Sequence, residues 1–266
     1  MVISCPASLP MSHYIRPIRR ENGGQQAYTH LAEVLDPSGV PCRGYVKHFP
    51  DTLHRSLFNE YFGHALMGAM GVPQPRCAVM PAPVFGHPEG LVAWAFVSFQ
   101  PRPVSEGTPK ELYDLQDAGA LESVKKRLFD CPALPLLIAA DQLAINPDRN
   151  LGNLVFTGRK TFVAIDHAGI LGGPAWTQDE LTRPTIWALS KLIEKLESIE
   201  TLKPRMRSAF LASAQVVEDN FYEVQAELRA ALNCESDDAA RLAMDAVWWR
   251  SLDVARWFKN RLQLLA

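Results

Sequence analysis

The sequence predicts an α+β protein of two lobes, a small β-rich N-terminal lobe and a larger, mainly helical C-terminal lobe. Three observations predict it. The first hundred residues carry short alternating apolar runs, punctuated by glycine and proline, around one amphipathic helical stretch. The segment QPRPVSEGTP, starting at Gln100, is rich in proline and polar residues and reads as a linker. Beyond it helical periodicity dominates, except for one hairpin-like stretch, NLVFTGRKTFVAID. The expected domains are 1–100 and 101–266, and 266 residues are enough for two modest lobes.

Each element has a local reason. Ile15 to Ile18 is a short apolar segment, followed by RRENGGQQ with its Gly-Gly pair. YTHLAEVL alternates like a strand, DPSG supplies a turn, and CRGYVKHF is the next strand candidate. In DTLHRSLFNEYFGHALMGAMG, Asp51 or Thr52 is the expected N-cap. Leu57, Phe58, Tyr61, Phe62, Ala65, Leu66 and Ala69 fall on one face of the helix that follows. Gly71 stops that helix, and Pro73 and Pro75 prevent its return. RCAVMPAP and LVAWAFVSF read as two further strands. The predicted order is therefore β-β-β-α-β-β. In the second lobe, helices are expected near 109–117, 119–129, 134–145, 184–199, 205–231 and 237–264. The hairpin turns at Gly158, with Phe156, Phe162, Val163 and Ile165 on apolar positions.

Composition excludes several function classes. A net charge of −2 implies no general attraction to nucleic acid or to an anionic membrane. The basic clusters Arg16–Arg20 and Lys203–Arg207 read as solvated surface, with a place near a phosphate site as the alternative for the first. Five dispersed cysteines without a CxxC spacing argue against a zinc ribbon or a thioredoxin-like motif, and fit a reduced, cytoplasmic setting. The start lacks the basic and apolar regions of a signal peptide. The longest apolar stretches, LVAWAFVSF and ALPLLIAADQLAI, are too short to span a bilayer, and Asp141 interrupts the second.

The chemistry concentrates in INPDRNLGNLVF. Asn146-Pro147 stops the preceding helix and places Asp148 in a loop. The two hairpin strands return the chain to where it began, so Asp166 is expected near Asn153. Two carboxylates and a carboxamide in one pocket suit a hard cation such as Mg²⁺, which takes few protein oxygens and keeps several waters. Asn153 and Asp166 fit metal ligands, and Asp148 fits a base accepting a hydroxyl proton. As a bare helix stop, the same motif would be only a turn. Arg149 is expected to be structural, pairing with a carboxylate to hold the loop, and nothing assigns Asn150. In the first lobe, Lys47 sits inside an apolar strand, where lysine is uncommon unless paired. Glu60 lies thirteen residues on, in the helix expected to pack on that sheet. Gly23 and Gly24 offer backbone N–H groups to phosphates, or form a plain turn. The seven histidines form no metal-ligand pattern, and no GxSxG or HExxH motif occurs.

INPDRNLGNLVF followed by FVAIDHAGIL resembles the catalytic and metal-binding loops of HipA-like kinases, a group related in fold to protein kinases and phosphatidylinositol kinases. LFNEYFGHALMGAMGVPQP is similar to the helix after the ATP-binding lysine in that family. The matches cover roughly 40–100 and 135–175, in the right order. The resemblance implies a protein-kinase-like fold that uses ATP and Mg²⁺. Lys47 would contact ATP phosphates with Glu60 orienting it, and Asp148 would be the catalytic base. Asn153 and Asp166 would hold Mg²⁺. Segment 94–99, with Phe96 and Ser98, would be the adenine hinge, and loop 20–27 with Gly23 and Gly24 would cover the phosphates. The acceptor implied is a protein Ser or Thr, in a HipA-like toxin or regulator restrained by an antitoxin or other partner. RENGGQQA carries no serine for self-phosphorylation. DHA stands where protein kinases have DFG, and the first strand candidate near residue 14 implies a minimal version of the family. Two other readings are a kinase of lipid or small-molecule hydroxyls, and a pseudokinase-like binding module. Against the module, Lys47, Asp148, Asn153 and Asp166 are all present.

Overall fold

Six strands form one sheet: β1 (Ala7–Ser8), β2 (Tyr14–Arg20), β3 (Tyr28–Leu35), β4 (Pro41–His48), β5 (Cys77–Pro83) and β6 (Val92–Phe99), in the spatial order β1-β5-β6-β4-β3-β2. The computed structural model describes residues 3–21, 27–87, 90–100, 118–181, 190–196 and 202–262. Strands β3 and β4 pair antiparallel along their length, from Tyr28 opposite His48 to Leu35 opposite Pro41. Their turn is built by Asp36. Its Oδ1 accepts the Ser38 and Val40 backbone N–H groups at 2.9 and 3.0 Å and the Ser38 hydroxyl at 2.5 Å. These bonds, with Arg76, hold the Asp36 carboxyl well below the usual carboxylate range. Gly39 at φ +80 takes the left-handed position that the turn requires. The two-residue strand β1, parallel to β5, is an addition that no periodicity could announce.

The two faces of the sheet differ because side chains alternate along a strand. Ala32, Val34, Val46, Met80, Ala95 and Val97 belong to one apolar cluster. Lys47 lies between Val46 and His48 and points the other way, toward helix α1 (Ser56–Ala69). The expected caps Asp51 and Thr52 instead form a separate 3-10 turn, Asp51–Leu53, and α1 begins at Ser56 without a side-chain cap. Its buried face is also shifted from the expected one, with Leu57, Phe58 and Tyr61 only half-buried. Asn59, Glu60, Gly63, His64 and Met67 are buried together with Phe62, Ala65 and Leu66. The helix packs on the sheet, where His64 meets Phe96, and also on the helical lobe.

The second lobe comprises α2 (Ala118–Phe129), α3 (Ala133–Leu143), the hairpin β7 (Leu154–Gly158) and β8 (Thr161–Ala164), α4 (Gln178–Leu181), α5 (Lys191–Leu196), α6 (Pro204–Ala231), α7 (Asp238–Ser251) and α8 (Val254–Arg261). The stretch 237–264, expected as one helix, is two. Asp237 caps α7 through the Ala239 and Ala240 N–H groups, and the chain breaks at Leu252-Asp253. The break turns Phe258 onto Phe210, their rings stacked at 6.3 Å, and offers the Ala255 N–H to Glu218 at 2.8 Å. Phe62, Phe156, Phe162, Phe210, Phe221 and Phe258 are fully buried, each contributing roughly 2–3 kcal/mol. Arg250 caps the far end of α3, donating to Gln142 O at 2.7 Å and Leu143 O at 3.2 Å. Helix 109–117 and most of the expected linker lie outside the described residues, as does 184–189. No helix among the described residues is long and apolar enough to cross a membrane.

Buried histidines make the fold acid-sensitive. His30 and His48 are buried and stack at 6.0 Å, and Tyr14 Oη sits 2.9 Å from His30 Nε2. Burial holds the His30 and His64 imidazoles down to about 4 and lowers that of His48. Below the ordinary histidine value of about 6.5, the unfolded chain gains protons that the folded chain refuses. Stability is therefore full above pH 6.5 and falls as pH drops toward 4. Denaturant midpoints at pH 7.5 and 5.0 should differ in that direction. Replacing His30 with Phe should shrink the difference, and an unchanged difference would refute this origin.

Candidate active site

Lys47 and Glu60 meet across the sheet–helix interface, with Nζ 2.7 Å from Oε1. Asp166 Oδ1 lies 3.1 Å from the same ammonium. Burial alone would lower the Lys47 pKa, but Asp166 and Glu60 outweigh it and raise it, so the ammonium stays charged. Burial pushes the Glu60 carboxyl up, against the pull of Lys47. Its second oxygen, Oε2, accepts the His167 backbone N–H at 2.8 Å. At Asp166, partial burial opposes ionisation, but Lys47 prevails and lowers the pKa. The Asp166 side chain is 42% exposed. Its backbone φ of 64° is left-handed, a strained choice for a non-glycine residue and one that clusters at functional sites.

The hairpin returns Asp166 to Asn153 as its geometry requires, with Asn153 Nδ2 3.3 Å from Asp166 Oδ2. Asn153 also closes a capping box. Its Oδ1 accepts the Asn150 N–H at 2.9 Å, and Asn150 Oδ1 accepts the Gly152 N–H at 2.8 Å. Asn150 thus shapes the turn before β7, an assignment the sequence left blank. The donor set at this point is one exposed carboxylate plus one carboxamide, both hard oxygen ligands. That fits a cation such as Mg²⁺ that keeps most of its waters, with Asn153 sharing its oxygen or turning its amide. No group of three or more His, Cys, Asp or Glu side chains among the described residues forms a metal cage.

Arg149 is fully buried and binds a carboxylate, as expected of it, and that carboxylate is Asp141. Nε and Nη2 lie 3.0–3.2 Å from the Asp141 oxygens, and Asn146 Nδ2 donates to Oδ1 at 2.8 Å. Nη1 donates to Ile165 O at 2.6 Å, and Nη2 meets His167 Nδ1 at 3.0 Å. One guanidinium thus joins the loop bearing Asp148 to the loop bearing Asp166. Burial, with Arg149 next, holds the His167 imidazole well below its ordinary value. Neutral Nδ1 therefore accepts from Arg149, and Nε2 donates to Gln74 Oε1 at 2.8 Å. Asp141 was visible in the sequence only as a charge interrupting an apolar helix.

Asp148 is half-exposed and faces Lys191, whose Nζ lies 2.5 Å from Oδ1. Lys191 also donates its backbone N–H to Pro147 O at 3.2 Å. No spacing in the sequence indicated this lysine. Gly169 runs against Asp148, and a Cβ there would come within 2.8 Å of Asp148 Cβ. Segment 94–99, expected as the adenine hinge, lies within strand β6. It is an interior strand, with Phe96 opposite both Lys47 and Val79 and Ser98 opposite both Tyr45 and Cys77. Residues 96–98 pair with strands on both sides, whereas Trp94 and Ala95 pair with β5 alone. Gly23 and Gly24, with the rest of 22–26, lie outside the described residues.

Gly63 lets α1 approach the loop bearing His167 and Ile170. A Cβ there would stand 2.5 Å from His167 Cβ and 3.0 Å from Ile170 Cδ1. Gly63→Ala gains up to about 1 kcal/mol in helix propensity but overpacks a site at a cost of about 1–3 kcal/mol. The clash is expected to win, lowering the melting temperature by several degrees. A melting temperature at or above wild type would contradict the close packing of α1.

No protein-family profile matches the chain, and no curated protein matches it. Among solved structures, the chain is similar to a Helicobacter pylori proinflammatory kinase, CtkA. The TM-score is 0.64 at 12% identity, covering 97% of this chain and 99% of that one. At this identity the likeness speaks for the fold: the chain has the two-lobed architecture of kinases, a β-rich lobe joined to a helical one.

Proposed function

We propose that the chain is an ATP- and Mg²⁺-dependent phosphotransferase of the HipA-like kind, passing the γ-phosphoryl group to a hydroxyl, with protein serine or threonine as the acceptor class. The observation that carries this reading is the Lys47–Glu60–Asp166 triangle, 2.7 and 3.1 Å on its measured sides, hung beside Asn153 and the Asp148 loop. In this reading Glu60 orients the Lys47 ammonium toward nucleotide phosphates. Asp166, with Asn153, would hold Mg²⁺, which when bound neutralises charge on the transferring phosphoryl group. Asp148 accepts the proton of the attacking hydroxyl, and Lys191 keeps that carboxylate oriented. Catalysis then consists mostly of positioning. The roles of toxin or regulator and of an antitoxin-like partner follow from the resemblance of the loop motifs, and so does protein as acceptor.

The test is transfer from labelled ATP with Mg²⁺, with and without cell lysate, by wild type and by Asp166→Asn. Label on protein that the variant fails to deposit supports the reading. Nucleotide binding without transfer would make the chain a binding module. Label on a lipid or small molecule would change the acceptor class.

A further inference from the structure

Two buried side chains outside the reacting set tie this site together. Asn59 precedes Glu60 on α1. Its Nδ2 lies 2.8 Å from Ala168 O, 2.9 Å from Gly173 O and 3.1 Å from Ile170 O, and its Oδ1 accepts the Trp176 indole N–H at 2.8 Å. Two N–H bonds serve three carbonyls, so both of the amide's donors are spent on 168–173. Trp176 is 4% exposed. Its ring meets Phe58 edge-on at 5.9 Å and carries the Arg55 guanidinium at 4.4 Å. The Arg55 backbone N–H adds a bond to Pro174 O at 3.1 Å.

The same stretch is laced on its other side to the entry of the Asp148 loop. The Leu171 N–H donates to Ala144 O at 2.8 Å and the Gly172 N–H to Ile145 O at 3.0 Å. Leu171 and Ile145 both hold left-handed backbones, at φ 58° and 53°. Such strain persists only where the surroundings over-determine it. The stretch thus spans from α1 to the catalytic loop. From Asp166 to Trp176 it reads DHAGILGGPAW, with no hydroxyl side chain. Elsewhere, a phosphate paired with arginines can order such a segment. Here a carboxamide and an indole do so.

We propose that Asn59 and Trp176 are positioning residues, a latch that sets Glu60 against Lys47 and Asp166 and keeps the site assembled without phosphorylation of the stretch 166–176. The inference rests on the phosphotransferase reading. Loosening the latch lets α1 and the 166–173 backbone drift apart. The bond from the His167 N–H to Glu60 is the first to suffer, while Lys47, carried by β4, remains in reach of the nucleotide.

The experiment uses the full chain after phosphatase treatment, comparing wild type with Asn59→Ala, Trp176→Phe and the double variant. All are assayed well below their melting temperatures. Trp176→Phe keeps an aromatic ring but removes the N–H donor together with part of the indole's volume. The expected result is a treated wild type of undiminished rate. Each single variant should have kcat at least tenfold lower with nucleotide KM within threefold, and the double variant should be no worse than the poorer single. Faster amide exchange over 166–173 in both singles should accompany the loss. Variants that lose thermal stability but keep wild-type kcat would reduce the pair to scaffolding and overturn the latch alone. A wild type that transfers no phosphoryl group at all would overturn the function, and the latch with it.

Discussion

Asp148→Asn is expected to lower kcat by about 10²–10⁴-fold, the span typical of removing a positioned general base. Nucleotide affinity should stay within a few-fold of wild type. The geometry makes this a clean substitution. The loop's architecture uses the backbone of Asp148, whose carbonyl accepts Asn150 Nδ2 at 2.9 Å, and not its carboxylate. Asparagine fills the same volume beside Gly169 and still accepts a hydrogen bond from Lys191. What it loses is the capacity to take a proton. The lost ion pair is between side chains 57% and 43% exposed, and such pairs are worth no more than about 1 kcal/mol. Thermal melting should therefore barely move. Single-turnover transfer together with calorimetric nucleotide binding separates the effects. A kcat within threefold of wild type would remove Asp148 from the chemistry.

Arg149→Met is expected to destabilise the fold by about 3–5 kcal/mol, because it strands a buried carboxylate. For a chain of this size, that corresponds to a fall in melting temperature on the order of 10 °C. Asp141 would keep only the Asn146 amide, and Ile165 O and His167 Nδ1 would lose their donor. Two further variants distinguish the causes. Arg149→Lys keeps the charge but cannot fork across two carboxylate oxygens, so it should fall between wild type and Arg149→Met. Asp141→Leu combined with Arg149→Met removes both charges and should be more stable than Arg149→Met alone. If the double variant is the worse of the two, the stranded charge is not the cause of the loss. A shift below 2 °C for Arg149→Met would mean that water or a neighbour compensates the carboxylate.

Local rules made much of this protein legible from its residues. Strands β3 to β6 follow from period-two alternation and from turns whose chemistry is contained within a few residues, as at Asp36. Helix α1, the stop at Gly71 and the 154–164 hairpin follow the same way. Lys47, Glu60, Asp148, Asn153 and Asp166 stood out because each is a polar group placed against an apolar pattern, or at the end of one. The contacts 47–60 and 153–166 then follow from a helix folding back on its sheet and from a hairpin closing.

Other features were decided only when distant segments packed. Asn59 and Trp176 look like an ordinary helix residue and an ordinary loop aromatic until 117 positions of chain fold back between them. Lys191 reaches Asp148 across 43 positions. Asp141 is a conspicuous charge whose partner no spacing could name. The pairing of segment 94–99 has the same origin. The apolar stretch LVAWAFVSF shows that a strand exists, but not which of its residues are paired on both edges. Residue type and spacing determined which groups can do chemistry, because that information is local. Which of them are buried, paired and held in register was decided by the tertiary structure, because desolvation and hydrogen-bond geometry depend on neighbours that the chain supplies from far away.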